Sequence, residues 1–229
     1  MNSYVVATIK DWNINEYNNR VHNYSGNWVL FDNKNDLTVE NLRKVQPKYV
    51  FFPHWSWIVP ESILNEFNCV CFHMTDVPYG RGGSPLQNLI VRGHQETKLT
   101  ALKMAKELDA GPVYLKKELS LTGSAGQIFL RSSSLTFDMI EHIVENEPTP
   151  IPQKGDVVEF PRRTPAQSQL MSGVDLEGFY NAVRMLDAET YPRAYLKFGN
   201  LRLEFTAVSK FSNELEASVR IFEEDNKHD

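Results

Sequence analysis

The sequence predicts an α/β fold: a mostly parallel sheet followed by a small C-terminal helix–hairpin module. Three observations predict it. Short, continuously apolar runs alternate with helical patterns through the first half of the chain, as in a sheet covered on both faces. Prolines 148, 150, 152, 161 and 165 punctuate a polar connector over 148–170. The 229 residues exceed one domain of about 150 by only a small appendage. The expected division is a main core over 1–160 and a small α+β module over 161–229.

The elements follow in order. Residues 4–9 (YVVATI) read as a strand, and 12–22, polar with scattered apolar positions, as a helix. Residues 28–31 form a strand ended by Asp32-Asn33, and 37–45 an amphipathic helix. Residues 49–52 form a strand stopped by Pro53, and 60–67 a short helix with Pro60 near its first turn. Residues 69–73 (CVCFH) are the next strand. The Gly80-Arg81-Gly82-Gly83-Ser84 loop precedes a helix over 85–92, with Ser84 as cap and Gly93 as stop. Residues 100–106 and 112–121 are two strands meeting at a loop with Asp109 at its tip. Residues 124–147 carry a long apolar stripe and read as one helix, in which an interruption would fall at Ser132-Ser133-Ser134. Beyond the connector, 175–186 is a helix, 194–198 and 201–206 a hairpin around Gly199-Asn200, and 226–229 a frayed end. Tyr191, Tyr195, Phe198 and Phe205 are expected to pack a small satellite core, with capping of the substrate as the alternative role of this module.

The element order is Rossmann-like, but no G-x-G-x-x-G follows any early strand, so NAD binding is not expected. Ligands in such a sheet sit at the carboxyl ends of the strands. His54 and His73 lie at or just past two of these ends.

Composition narrows the function classes. Lys and Arg number 24 against 29 Asp and Glu, a net charge of −5, which argues against a nucleic-acid partner while leaving room for a local basic patch. No apolar run approaches the roughly 18 residues of a membrane span. The start lacks the pattern of a secretory signal, so a soluble cytoplasmic protein is expected. The two cysteines, Cys69 and Cys71, share one strand face and read as small buried hydrophobes in a reducing compartment. A lone C-x-C offers too few ligands for structural zinc, and no metal is expected.

Residues 72–87 read FHMTDVPYGRGGSPLQ. This stretch resembles the motif of folate-dependent formyltransferases, with His73, Thr75, Val77-Pro78, Arg81-Gly82 and Pro85 at the matching places. A second family motif, Leu-Asp-x-Gly, is matched by Leu108-Asp109-Ala110-Gly111, at a similar separation from the histidine. Residues 184–192 (RMLDAETYP) look like the C-terminal module of sugar N-formyltransferases. The resemblance implies a Rossmann-like formyltransferase core and N10-formyltetrahydrofolate as co-substrate. Formyl transfer to an amine needs a proton acceptor and a group that binds the developing oxyanion. A histidine suits proton transfer near neutral pH, and a neighbouring carboxylate can orient it. The resemblance thus gives His73 the base role and Asp109 the partner role. The family's asparagine two residues before the histidine is here Cys71, a weak donor; His54 is the nearest substitute, whereas Asn68 points to the other strand face.

Other residues enter with alternatives open. Ser56, Trp57 and Ile58 match the family's pterin wall, or the tryptophans anchor the loop in the core. Leu108 and Ala110 flank Asp109 as further folate contacts, though Asp109 before a glycine is also plain turn chemistry. Gly80, Gly82 and Gly83 let backbone N–H groups approach a bound anion, or form a flexible turn. Arg81 is a phosphate or carboxylate fork, or a solvated charge. Thr75, Tyr79 and Ser84 complete the expected substrate-binding set. His22, His94, His142 and His228 have no constellation around them.

The acceptor implied is the amino group of a nucleotide-linked amino-deoxysugar, of the kind formylated in surface-glycan pathways. The family's tRNA enzymes carry an additional nucleic-acid-binding domain, which this length and charge argue against. Alternatives are a carrier-bound amino acid, a folate- or nucleotide-binding protein weakened at Cys71, and a formyltetrahydrofolate hydrolase. The apolar-rich tail could pair with a second subunit, and a homodimer is the commonest assembly.

Overall fold

The computed structural model describes residues 1–223; the expected fraying at 226–229 lies outside them. A six-stranded sheet runs in the order β2 (Asn27–Phe31), β1 (Ser3–Ala7), β3 (Pro47–Phe52), β4 (Cys69–His73), β6 (Glu96–Lys103), β7 (Val113–Ser120). The first four strands are mutually parallel, and β6 and β7 are antiparallel. The mainly parallel sheet is therefore as expected. Alternation within the strands divides the core in two. Tyr4, Val6, Tyr49, Phe51 and Val70 face one cluster, and Val5, Ala7, Val50, Phe52 and Cys69 the other. Cys71 packs on the Cys69 side, and both thiols are free.

The helices cover both faces. α2 (Val39–Val45) and α3 (Glu61–Glu66) bury Leu42 and Ile63 on the Cys69 side. On the other face lie α1 (Asp11–Arg20), α4 (Pro85–Val91) and the long α5 (Ala125–Asn146). Ser124 opens α5 with a reciprocal capping box to Gln127. The three serines do not interrupt α5. Ser133 is buried and donates to Asn13 Oδ1 at 2.7 Å, so a small polar side chain ties α5 to α1. Among the described residues no helix is long and apolar enough to cross a membrane.

The connector holds more order than proline content suggests. Its residues Val158–Phe160 form β8, which pairs in parallel with β5 (Tyr79–Gly82), inside the stretch read as a loop. Ser84 does not cap α4; it is left-handed at φ +47°, and its Oγ accepts from the Arg163 N–H at 3.0 Å. After α6 (Leu176–Arg184) come β9 (Ala194–Phe198), β10 (Leu201–Lys210) and β11 (Leu215–Glu223) in one antiparallel sheet. The expected hairpin is β9–β10, and β11 is additional. Val183, Met185, Leu186, Ala188 and Ala194 join the larger core cluster, so the C-terminal module shares the core of the main sheet. Arg184 anchors it from within, being only 3% exposed. Its guanidinium donates to the Leu121 and Gly123 carbonyls at 2.6 and 3.0 Å, and to Asn181 Oδ1 at 2.7 Å. In the satellite core Phe205 packs edge-on to Phe179 and Tyr195 is buried, whereas Phe198 is 74% exposed because it stands at the turn of the hairpin.

Candidate active site

A cavity of about 740 Å³ opens at the carboxyl ends of β3 and β4, where a parallel sheet leaves its crevice. His73, the last residue of β4, and Asp109, in the β6–β7 turn, meet on its wall. His73 Nδ1 lies 3.5 Å from Asp109 Oδ2, with both side chains about nine-tenths buried. His73 Nε2 is 2.8 Å from the Gly80 carbonyl, which can only accept, so Nε2 carries the hydrogen. That bond fixes the tautomer and turns Nδ1 toward Asp109. Thr75 Oγ1 donates to the same carbonyl at 3.2 Å, and Thr100 Oγ1 donates to the Thr75 carbonyl at 2.7 Å. A buried hydroxyl network thereby holds the imidazole's anchor.

The turn carrying Asp109 is tightly built. Asp109 is left-handed at φ +54°, an unusual conformation for a residue with a side chain. Its Oδ2 accepts from the Gly82 N–H at 2.9 Å. A Cβ on Gly82 would lie 2.6 Å from the Phe160 carbonyl oxygen. Gly111 is required for closeness: a Cβ there would sit 1.7 Å from the Lys103 carbonyl oxygen. The fourth position of Leu-Asp-x-Gly is thus fixed by backbone approach.

The remaining expected residues divide between cavity and scaffold. His54, Ser56, Trp57, Ile58, Cys71, Gly82, Gly83, Ser84 and Leu108 line the cavity with His73 and Asp109; Thr75, Tyr79, Gly80, Arg81 and Ala110 do not. Arg81 is half-buried, and two of its guanidinium nitrogens are engaged by a neighbouring amide. Its Nε and Nη2 donate to Gln153 Oε1 at 3.1 and 2.8 Å. The Tyr79 hydroxyl turns instead to His94 Nε2 at 3.0 Å, giving that histidine a partner the sequence did not suggest. Thr75 and Gly80 act behind His73, and the Ala110 N–H turns back to the Glu107 carbonyl. The glycine loop is not a free anion nest, because the Gly82 N–H is engaged by Asp109 and the Gly83 N–H by the Phe160 carbonyl.

At one end the cavity wall is aromatic and apolar: Trp55, Trp57, Ile58, Val59, Leu64, Met104 and Leu108. Trp55 and Trp57 pack edge to face at 5.0 Å, and the buried Trp55 Nε1 has no partner. Ile58 and Leu108 are 92% and 66% exposed, apolar side chains left open beside the cavity. His54, at φ +51°, packs edge-on against Phe129 and Trp12, and its Nε2 is 3.1 Å from the Tyr191 hydroxyl. Burial, then the nearby Lys10 charge, push its pKa down to about 3. Burial raises Tyr191 to about 12, so both partners are neutral at pH 7. Burial, then the Asp109 carboxylate, push the Cys71 thiol well above its ordinary value, leaving a neutral thiol where the cavity meets β4.

Several lining residues escaped the sequence reading. Lys10, Lys106, Arg162 and Arg163 line the cavity, with Asp109 as the one carboxylate among the described lining residues. This local positive excess opposes the net charge of −5. Tyr191, read as a packing residue with substrate capping as the alternative, faces the cavity. Gln153, within the connector, bonds the Asp109 turn from behind. No spacing or periodicity marks these positions.

Comparison with known proteins adds relatives to this geometry. Residues 165–222 match the family described as methionyl-tRNA formyltransferase, C-terminal domain. A solved methionyl-tRNA formyltransferase from Clostridium thermocellum is 43% identical, with 98% of this chain and 100% of that one covered and a TM-score of 0.95. The methionyl-tRNA formyltransferase of Mesoplasma florum is 27% identical over 187 residues, 78% of this chain and 59% of that protein. The chain thus spans about three-fifths of the length of that curated relative. A sugar N-formyltransferase from Shewanella sp. shares the fold at 13% identity, with a TM-score of 0.71, covering 93% of this chain and 100% of that one.

Proposed function

Because the chain belongs to the formyltransferase family, we propose that it transfers a formyl group from N10-formyltetrahydrofolate to the amino group of a carrier-bound amino acid, as on an aminoacyl-tRNA. The observation that carries this reading is the His73–Asp109 pair on the cavity wall, in a chain 43% identical over its length to a protein named for that acceptor. The amino-sugar nucleotide expected from the sequence is the second reading, since its relatives here share the fold alone. The cationic lining suits either acceptor, because both carry phosphate.

The residues present fit a folate. A flat heteroaromatic ring would lie against Trp57, Ile58 and Leu108, where the buried, unpartnered Trp55 Nε1 offers a donor. The co-substrate supplies an electrophilic formyl carbon; as the amine nitrogen bonds to it the carbon–N10 bond breaks, and the proton taken up by His73 passes to the departing N10. His73 Nδ1, free of hydrogen in the tautomer that Gly80 imposes, accepts the proton of the attacking amine. The new Nδ1–H then donates toward Asp109 Oδ2, whose negative charge stabilises the imidazolium and whose position the Gly82 N–H maintains. The Cys71 thiol is a poor donor for the oxyanion. His54 is neutral, and its ring hydrogen on either nitrogen is a better one.

The test is an acceptor panel. N10-formyltetrahydrofolate is incubated with charged tRNA, with amino-sugar nucleotides, and with no amine, and the products are read by mass. Formylated aminoacyl-tRNA supports the proposal. A formylated sugar nucleotide alone replaces it with the second reading. Formate without any amine would make the chain a hydrolase, and folate binding without turnover a weakened binding protein.

A further inference from the structure

Gln153 lies in the proline-punctuated segment before β8, 44 residues from Asp109 in sequence, yet its amide is fully engaged at the site. Nε2 donates to the Asp109 carbonyl at 2.7 Å and to the Gly111 carbonyl at 2.8 Å. Oε1 accepts from Arg81 Nε and Nη2 at 3.1 and 2.8 Å. Two donors and two lone pairs are all a primary amide has, and each is used within this cluster.

The cluster closes a ring. Arg81 is on β5, and the next residue, Gly82, donates its N–H to the Asp109 carboxylate. β5 pairs with β8, Arg81 opposite Glu159 and Gly82 opposite Phe160, shortly after Gln153. The left-handed turn at Asp109 is therefore gripped twice, by the backbone through Gln153 and by the carboxylate through Gly82. We propose that Gln153 is a positioning residue that, with Arg81 as its anchor, holds Asp109 against His73. The inference rests on the reading that this pair is catalytic. Gln153 touches neither the reacting atoms nor the cavity; it acts through the turn.

Replacement by Glu or Met separates the functions of the amide. Gln153→Glu keeps acceptors for Arg81 but turns a carboxylate toward two carbonyls and removes both donors to the turn. Gln153→Met removes all four bonds at similar volume. Both are expected to lower kcat about 10- to 100-fold, with KM for folate and amine within about twofold. Hydrogen exchange at the Gly82 amide, whose acceptor is Asp109, should quicken in both by more than the change in global stability accounts for. Arg81→Met, which leaves the two donors in place, should show a smaller loss of the same kind, and serves if the Gln153 variants do not fold. Wild-type kcat with wild-type Gly82 exchange in Gln153→Glu overturns the proposal, as does a change confined to KM. If the wild type transfers no formyl group, the functional reading fails, while Gly82 exchange still tests the latch alone.

Discussion

Substituting Gly111 by Ala tests the reason for the last residue of Leu-Asp-x-Gly. Its Cβ would lie 1.7 Å from the Lys103 carbonyl oxygen, whereas ordinary contact begins at 3.4 Å. β6 cannot yield easily, because the Lys103 N–H is bonded to the Pro112 carbonyl at 2.9 Å and the Met104 N–H to the Cys69 carbonyl at 2.8 Å. The turn must therefore move by about 1.7 Å, the gap between those two contact distances. Asp109 is two residues away, and its 3.5 Å approach to His73, already at the limit of contact, would be lost. The 2.8 Å bond from Gln153 to the Gly111 carbonyl would break as well. Overpacking of this kind costs about 2 kcal/mol, which lowers Tm by about 4–8 °C in a chain of this size. A misplacement above 1 Å costs about 10²-fold in rate. Steady-state formyl transfer gives kcat and KM, and a thermal melt gives Tm. A Gly111→Ala protein with wild-type kcat and Tm would refute the argument that backbone approach fixes this residue.

Other predictions concern stability. His54 has a folded pKa of about 3 against an ordinary 6.5. Between those values the unfolded chain binds a proton that the folded chain does not. Its contribution is therefore complete above pH 6.5 and is lost as pH falls toward 3. Chemical denaturation at pH 7 and pH 5 should show wild type losing about 2 kcal/mol more than His54→Gln; parallel losses would contradict the burial argument. Arg184→Met removes a buried donor and strands the Leu121 and Gly123 carbonyls. It should cost about 3 kcal/mol, or about 6–12 °C in Tm, and a melt within about 2 °C of wild type would count against it.

How much of this was legible follows from where each signal resides. Strands such as 69–73 could be read because continuous apolar runs and their end-stops are local. α5 was legible from Ser124 to Glu147, but its serines misled, since the burial of Ser133 against Asn13 is a tertiary fact. β5 and β8 are short and lie among glycines and prolines, so only their pairing reveals them. β11 alternates charged and apolar residues, yet most of it is exposed, and its only described strand partner is β10. His73 and Asp109 stood out as two ordered motifs. Arg81 and Tyr79 carried the same motif but face Gln153 and His94, because orientation is not written in spacing. Gln153 left no trace, since its bonds span 42 to 72 residues. Net charge argued against a nucleic-acid acceptor, but it averages over a surface whose cavity is locally positive.

The central claim is that His73 and Asp109 work as one unit in formyl transfer. The most direct test is kcat for His73→Gln, Asp109→Asn and the double variant with formylated folate and the acceptor found in the panel. Each single variant should fall about 10²- to 10⁴-fold, and the double variant no further than the worse single one. Wild-type rates in either single variant, or losses that multiply in the double, would contradict it.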